Sequence, residues 1–164
     1  MKAPVSFIIP TRNEERNIRE AIESVIDWAG EVFVLDSYSD DRTVEIATGM
    51  GVQVAQRRFD NFSAQKNWAL DNLPLRNEWV FFLDADERVT RALRDELQNL
   101  LSGTEYDGFY VPRHNFFMGI CLRHGGWLRA RWVRCDESSR LFRHPYPERG
   151  AKPRSRAQVG YRLN

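Results

Sequence analysis

Apolar positions along the first hundred residues fall into two alternating patterns. Short unbroken runs stand at Val5–Ile9, Val32–Leu35, Val52–Ala55 and Trp79–Leu83. A strand with one wet face alternates apolar and polar residues, so unbroken runs predict parallel strands covered on both faces. Helical spacing lies between them. Ile18, Ile22, Val25 and Ile26 recur at i, i+4, i+7 and i+8, predicting one face of a helix that begins near Asn13, with Asn13 as its N-cap. Asp40 or Asp41 is expected to cap a second helix carrying Val44, Ala47 and Met50, and Gly51 fits its end. A third helix is predicted from Phe62 to Leu73, stopped by Pro74. A fourth starts at Thr90, with Leu93, Leu97, Leu100 and Leu101 inward and Gly103 beyond its end.

Strand and helix alternating every 20–28 residues or so predict a doubly wound α/β architecture with right-handed crossovers. The pattern weakens from Gly108, where one short strand followed by loops is expected. Beyond Trp127 only Trp132–Val133 and Leu141–Phe142 look buriable, and the last twenty residues have the Pro, Gly and Arg content of a disordered tail.

Composition narrows the class. A chain of 164 residues, 42% apolar and 29% charged, is the size and make-up of one soluble globular domain with a real core. No run of eighteen or more apolar residues predicts a membrane span. The start, "MKAPVSFIIPTRNEE", has too short an apolar run for a signal peptide, which leaves the cytoplasm as the expected compartment. Cys121 and Cys135 are too few for a zinc site of their own and read as free thiols, pairing being the other option. Charge is uneven: residues 1–112 carry 12 Lys/Arg against 20 Asp/Glu, whereas residues 113–164 carry 12 against 3.

Candidate chemistry gathers at strand ends, where open α/β sheets bind ligands. The first predicted strand runs into "PTRNEE", the second into "DSYSDDRT" and the fourth into "DADE". Acids crowded on one edge repel unless a cation or hydrogen-bond donors offset them. In extended backbone Asp84 and Asp86 would point to the same side and could share a divalent ion; Mg²⁺ or Mn²⁺ with a substrate diphosphate matches such hard oxygen ligands. The plainer reading is a pair of acids in a first helical turn. Asp36 stands where α/β sites place an acid on a ribose or base, or it is an ordinary turn acid. Pro10 to Glu14 offer backbone donors beside a helix N-terminus, where phosphates bind. Lys66 in "SAQKNWAL" is either a counter-charge for a diphosphate or a solvated lysine. The motifs G-x-G-x-x-G, G-x-x-x-x-G-K-[ST] and H-E-x-x-H are absent, which argues against a dinucleotide dehydrogenase, a P-loop NTPase and a zincin.

The segments "FIIPTRNEERNI", "VFVLDSYSDDRTVEIA" and "WVFFLDADERV", in this order and spacing, resemble the family 2 glycosyltransferases of GT-A fold. "FDNFSAQKNWALDN" and "VPRHNFFMGICLRHGGW" resemble the bacterial branch of lipopolysaccharide core β-1,4-glucosyltransferases. The resemblance implies a GT-A, Rossmann-like nucleotide-sugar-binding domain over residues 1–127 with a mostly parallel sheet, followed by a basic, weakly ordered segment over 128–164. It implies an inverting, metal-dependent transfer from a nucleotide-diphosphate sugar, a UDP-sugar by analogy, to a hydroxyl of a lipopolysaccharide-core or other glycolipid or oligosaccharide acceptor. Carried onto matching positions, Pro10, Thr11 and Glu14 would line the nucleotide pocket, Asp36 would contact base or ribose, and Lys66 would lie near the donor. Asp84 would touch ribose or metal, and Asp86 would ligate Mg²⁺ or Mn²⁺. No nucleic acid is expected as a partner.

Two departures from that family matter. Arg12 stands where an aromatic is usual, and after Trp127 the expected Tyr-Pro-Asp is replaced by "LRARWVRCDESSRLFRHPYPERG". Asp136, Glu137 and Glu148 are the only acids beyond that point and none sits in a recognisable motif, so no catalytic base is assigned. The Arg-rich segment reads as a frame change or truncation in a longer enzyme, as a basic surface meeting an anionic membrane face or phosphorylated glycolipid, or as a solvated tail. Three other readings stay open. One is a donor-binding relic without turnover. Another is a haloacid-dehalogenase-type phosphohydrolase, which Arg88 two places after Asp86 disfavours. The last is a receiver domain, which lacks its acidic pair after the first strand.

Overall fold

The computed structural model describes residues 2–101 and 103–111, together with the backbone of short strands at 116–117, 120–121, 139–143 and 156–158. Strands β1 (Ala3–Thr11), β2 (Ala29–Asp36), β3 (Gln53–Gln56) and β4 (Trp79–Phe82) alternate with helices α1 (Ile18–Glu23), α2 (Thr43–Gly49), α3 (Phe62–Asn72) and α4 (Arg91–Leu100). After them come β5 (Gly108–Tyr110), β6 (Phe116–Phe117), β7 (Ile120–Cys121), β8 (Ser139–Arg143) and β9 (Arg156–Gln158). The main sheet has the order β3-β2-β1-β4-β8-β5-β9, and β6 pairs with β7 apart from it.

The four expected strands form and are mutually parallel. Their unbroken apolar runs are explained by two-sided cover. Val5, Phe7 and Ile9 of β1 pack with Ile18 and Ile22 of α1, Ala47 of α2, and Leu93 and Leu97 of α4. Ile8, pointing the other way, joins Leu35, Val80, Phe82 and Ala69 of α3 in a second core. Ring contacts bind the first layer: Phe7 stacks on Phe81 at 4.9 Å and meets Trp28 edge-on at 5.3 Å. Beyond β4 the sheet turns mixed, because β8 runs antiparallel to both β4 and β5. Leu141 and Phe142 thus pair with Phe81 and Val80 as sheet members. The expectations for Trp132–Val133 and most of the last twenty residues lie outside the described residues.

Helix ends follow local chemistry. Thr90 accepts from the Leu93 N–H at 3.1 Å and Asn61 from the Ala64 N–H at 2.8 Å, so both helices start on a side-chain cap. Gly51, at φ +76°, takes the left-handed conformation that lets the chain leave α2 and enter β3. The first helix corrects the sequence reading. It begins at Ile18, not near Asn13, and Asn13 is no N-cap: its φ of +57° is left-handed, and its side chain accepts from the N–H of Asp40, 27 residues on. Leu100, expected inward, is half-buried. Among the described residues no helix is long and apolar enough to cross a membrane.

Candidate functional site

Parallel register brings the polar strand ends to one edge. Thr11 pairs with Asp36 across β1 and β2, and Asp36 with Gln56 across β2 and β3. On the other side Phe82 pairs with Ile8, and the Leu83 N–H donates to the Ile8 carbonyl at 3.0 Å, so the chain after β4 emerges beside Pro10. The strand order reverses between β1 and β4, and such a switch is where open sheets leave a crevice for ligands.

Asp36 is the hub of this edge, with 0% exposure. Its carboxylate accepts from the hydroxyls of Thr11, at 3.3 Å, and of Ser39. It also accepts from the Ser39 N–H and the Gln56 amide, both at 3.0 Å. Four donors thus satisfy the oxygens of a buried side chain. In this position Asp36 braces the loop after β2. That loop in turn clamps the one after β1. Ser39 accepts from the Asn13 N–H at 2.9 Å, Thr43 from Glu14 at 2.8 Å and Asp41 from Glu15 at 3.0 Å. The Asn13 and Glu14 N–H groups, two of the backbone donors expected to meet phosphate, are therefore spent between the loops, and the helix that follows has only six residues. Burial alone would raise the Asp41 carboxyl, but the hydroxyl and N–H of Thr43 and the N–H of Glu15 hold it below the usual aspartate range.

The "DADE" segment is not extended. The Glu87 N–H donates to the Asp84 carbonyl at 2.9 Å, closing a turn, while the buried Glu87 carboxylate accepts from the Asp84 N–H at 3.2 Å. Arg88 locks the turn from below, donating to the carbonyls of Ala85 at 2.9 Å and Glu87 at 2.8 Å and pairing with Glu20 of α1 at 3.1 Å. Asp84 is half-buried and Asp86 exposed. Among the described residues no three His, Cys, Asp or Glu gather as a metal cluster. Among the described residues Asp84 and Asp86 are the two acids this turn offers to an ion. Lys66 reaches this end of the sheet from α3, its ammonium 5.5 Å from the centre of the Phe82 ring.

Of the residues singled out from the sequence, Thr11 and Asp36 touch, with Thr11 buried. Glu14 is half-buried, its carboxylate accepting from the Asn17 amide at 2.8 Å. Pro10, Glu14, Lys66, Asp84 and Asp86 keep exposed surface. Ser37, Ser39, Thr43, Gln56, Gln65, Glu87 and Arg88 were not anticipated, although they set the shape of the edge. Only the density of short acceptors in "DSYSDDRT" facing the donors of "TRNEE" hinted at the loop clamp.

Comparison with known proteins agrees with this architecture. The family model described as glycosyl transferase family 2 matches residues 6–154. A Rickettsia bellii protein named as an uncharacterized glycosyltransferase is 35% identical over 139 residues, covering 84% of this chain and 45% of its own length. The lipopolysaccharide core biosynthesis glycosyltransferase LpsC of Rhizobium meliloti is 32% identical over 124 residues, covering 72% of this chain and 45% of its own. The chain thus spans somewhat under half the length of these relatives. Glucosyl-3-phosphoglycerate synthase from Mycobacterium tuberculosis, solved with Mn²⁺, UDP and glucosyl-3-phosphoglycerate, superposes with a TM-score of 0.55 at 23% identity, over 65% of this chain and 43% of that one. That likeness is one of fold, the GT-A type.

Proposed function

From the premise that the chain belongs to glycosyl transferase family 2, we propose that it binds a nucleotide-diphosphate sugar, a UDP-sugar, across the edge formed by the ends of β1, β2 and β4. The sugar would pass to a hydroxyl of a lipopolysaccharide-core or related glycolipid acceptor. The observation that carries this reading is the "DADE" turn, held by Glu87 and Arg88 so that Asp84 and Asp86 stand at the topological switch beside Pro10.

A divalent cation fits there. Two hard carboxylates from one turn leave most positions to diphosphate oxygens and water, as Mg²⁺ and Mn²⁺ prefer. Asp86, the exposed acid, would hold the ion, and Asp84 would share it or meet the ribose. When bound, the ion would offset charge on the departing diphosphate. Lys66 would add a positive charge on the α3 side. Thr11 and the buried Asp36 would act by fixing the two loops, and Pro10 and Glu14 would line the pocket. The basic residues of 128–164 would face an anionic acceptor or membrane surface. The LpsC relative supports the choice of acceptor class and the Mycobacterium neighbour suggests the probe. Calorimetric titration with UDP should give Mn²⁺-dependent heat that Asp86→Ala abolishes. UDP heat that is absent, or indifferent to both Mn²⁺ and Asp86, contradicts the proposal.

A further inference from the structure

We propose that Tyr38 is the platform on which the base of the donor nucleotide stacks, an inference that rests on the donor-site reading above. Tyr38 has φ +57° and is 60% exposed. A bulky residue in left-handed backbone is an outlier that survives only where its surroundings over-determine it. Here they do. On one side the Ser37 N–H donates to the Thr11 carbonyl at 2.8 Å, and the Ser37 hydroxyl accepts from Gln65 at 2.9 Å. On the other, Ser39 is held by Asp36 through both its N–H and its hydroxyl, and the Asp40 N–H donates to Asn13.

The left-handed backbone serves the turn that returns Ser39 to Asp36, but a glycine or asparagine would make that turn without an exposed ring. More than half of the Tyr38 surface stays in water, so burial returns little of what the backbone costs. What the arrangement achieves is to hold the backbone that carries an exposed aromatic ring just beyond the end of β2, in the sheet that also carries β4. The two interlocked loops, residues 10–17 and 36–42, contain no other aromatic side chain. Arg12, Asn13 and Asp40 of the same loops are exposed and polar; of these only the Arg12 guanidinium offers a plane, and Tyr38 is the one aromatic ring the two loops carry. A nucleobase needs a plane, and stacking on an aromatic ring is the interaction that supplies one.

The test compares UDP with inorganic pyrophosphate, each titrated in Mn²⁺, on the native chain, Tyr38→Asn and Tyr38→Phe. Asparagine tolerates left-handed backbone, so the Asn variant should unfold at the native temperature or above it. Its affinity for UDP should fall about tenfold or more, the scale of one base–aromatic stack, while pyrophosphate binding is unchanged and the Phe variant matches native. The inference is overturned if Tyr38→Asn keeps UDP affinity within about twofold, or if it loses pyrophosphate by the same factor, since the ring would then only support the loop. Native protein that binds pyrophosphate as well as UDP also overturns it and leaves the donor-site reading standing. Native protein that binds neither removes that reading, and the inference with it.

Discussion

Replacing Asp36 by alanine removes the acceptor for four donors at once: the Thr11 and Ser39 hydroxyls, the Ser39 N–H and the Gln56 amide. At about 1.5–3 kcal/mol for each bond to a charge, the loss would sum to roughly 6–12 kcal/mol. That approaches a whole domain's stability of about 5–15 kcal/mol, so it cannot be additive. Access to water decides the figure. Gln56 is exposed and Ser39 half-buried, so both can turn to solvent, whereas Thr11 is buried and is left without its acceptor. One stranded donor plus a loosened loop predicts a loss of about 2–3 kcal/mol. Asparagine should behave differently. Its oxygen can face the two N–H donors and its NH₂ the two hydroxyls, which can reverse and accept. Asp36→Asn is therefore expected to cost about 1 kcal/mol. Urea unfolding with an unchanged slope measures both. If alanine lies within about 0.5 kcal/mol of native, or asparagine costs as much as alanine, the hub does not hold the loops as described.

Other expectations test separate parts of the frame. Gly30→Ala would set a methyl 2.5 Å from the Asn77 amide oxygen and break that amide's bonds to Ser6 and Glu31. It should cost about 1–2 kcal/mol in denaturant unfolding, and little in an Asn77→Ala background. Thr90→Ala removes the cap of α4 and should lower stability by about 1 kcal/mol, most of it recovered by Thr90→Ser. Arg88→Ala frees the carbonyls of Ala85 and Glu87 and should weaken Mn²⁺-dependent UDP binding about tenfold while lowering stability by about 1 kcal/mol; unchanged binding would show that the turn needs no lock. Acid unfolding checks Asp41. Its folded value is depressed, so its contribution is complete above the ordinary 3.8 and drains away as pH falls through the lower folded value. Asp41→Asn should unfold with a shallower acid dependence below pH 3.8 than native.

The four parallel strands were legible because both-sided burial writes an unbroken apolar run, and α4 because Thr90 and its leucine spacing agree. The start of α1 was not. Asn13 looks like a cap in one dimension, yet its partner Asp40 lies across a strand pairing that the sequence does not display. The same limit hid the loop clamp: Glu14 and Thr43 meet only because Thr11 and Asp36 share a register. The spacing of Asp84 and Asp86 was visible, but not the turn between them, which depends on the buried Glu87 and on Arg88 reaching α1. The charge imbalance of the last fifty residues was plain from composition. Pairing of 139–143 between β4 and β5 was not, since a five-residue Ser-Arg-Leu-Phe-Arg strand has no pattern strong enough to specify its neighbours.

The central claim, that the turn after β4 holds the cation of a nucleotide-diphosphate donor, is tested most directly by anomalous diffraction from crystals soaked with Mn²⁺ and UDP. The account predicts a manganese peak about 2.1 Å from an Asp86 carboxylate oxygen and in contact with the diphosphate, lost in Asp86→Ala. UDP bound on this edge with no peak at Asp84 or Asp86, or a peak at another site, would contradict it.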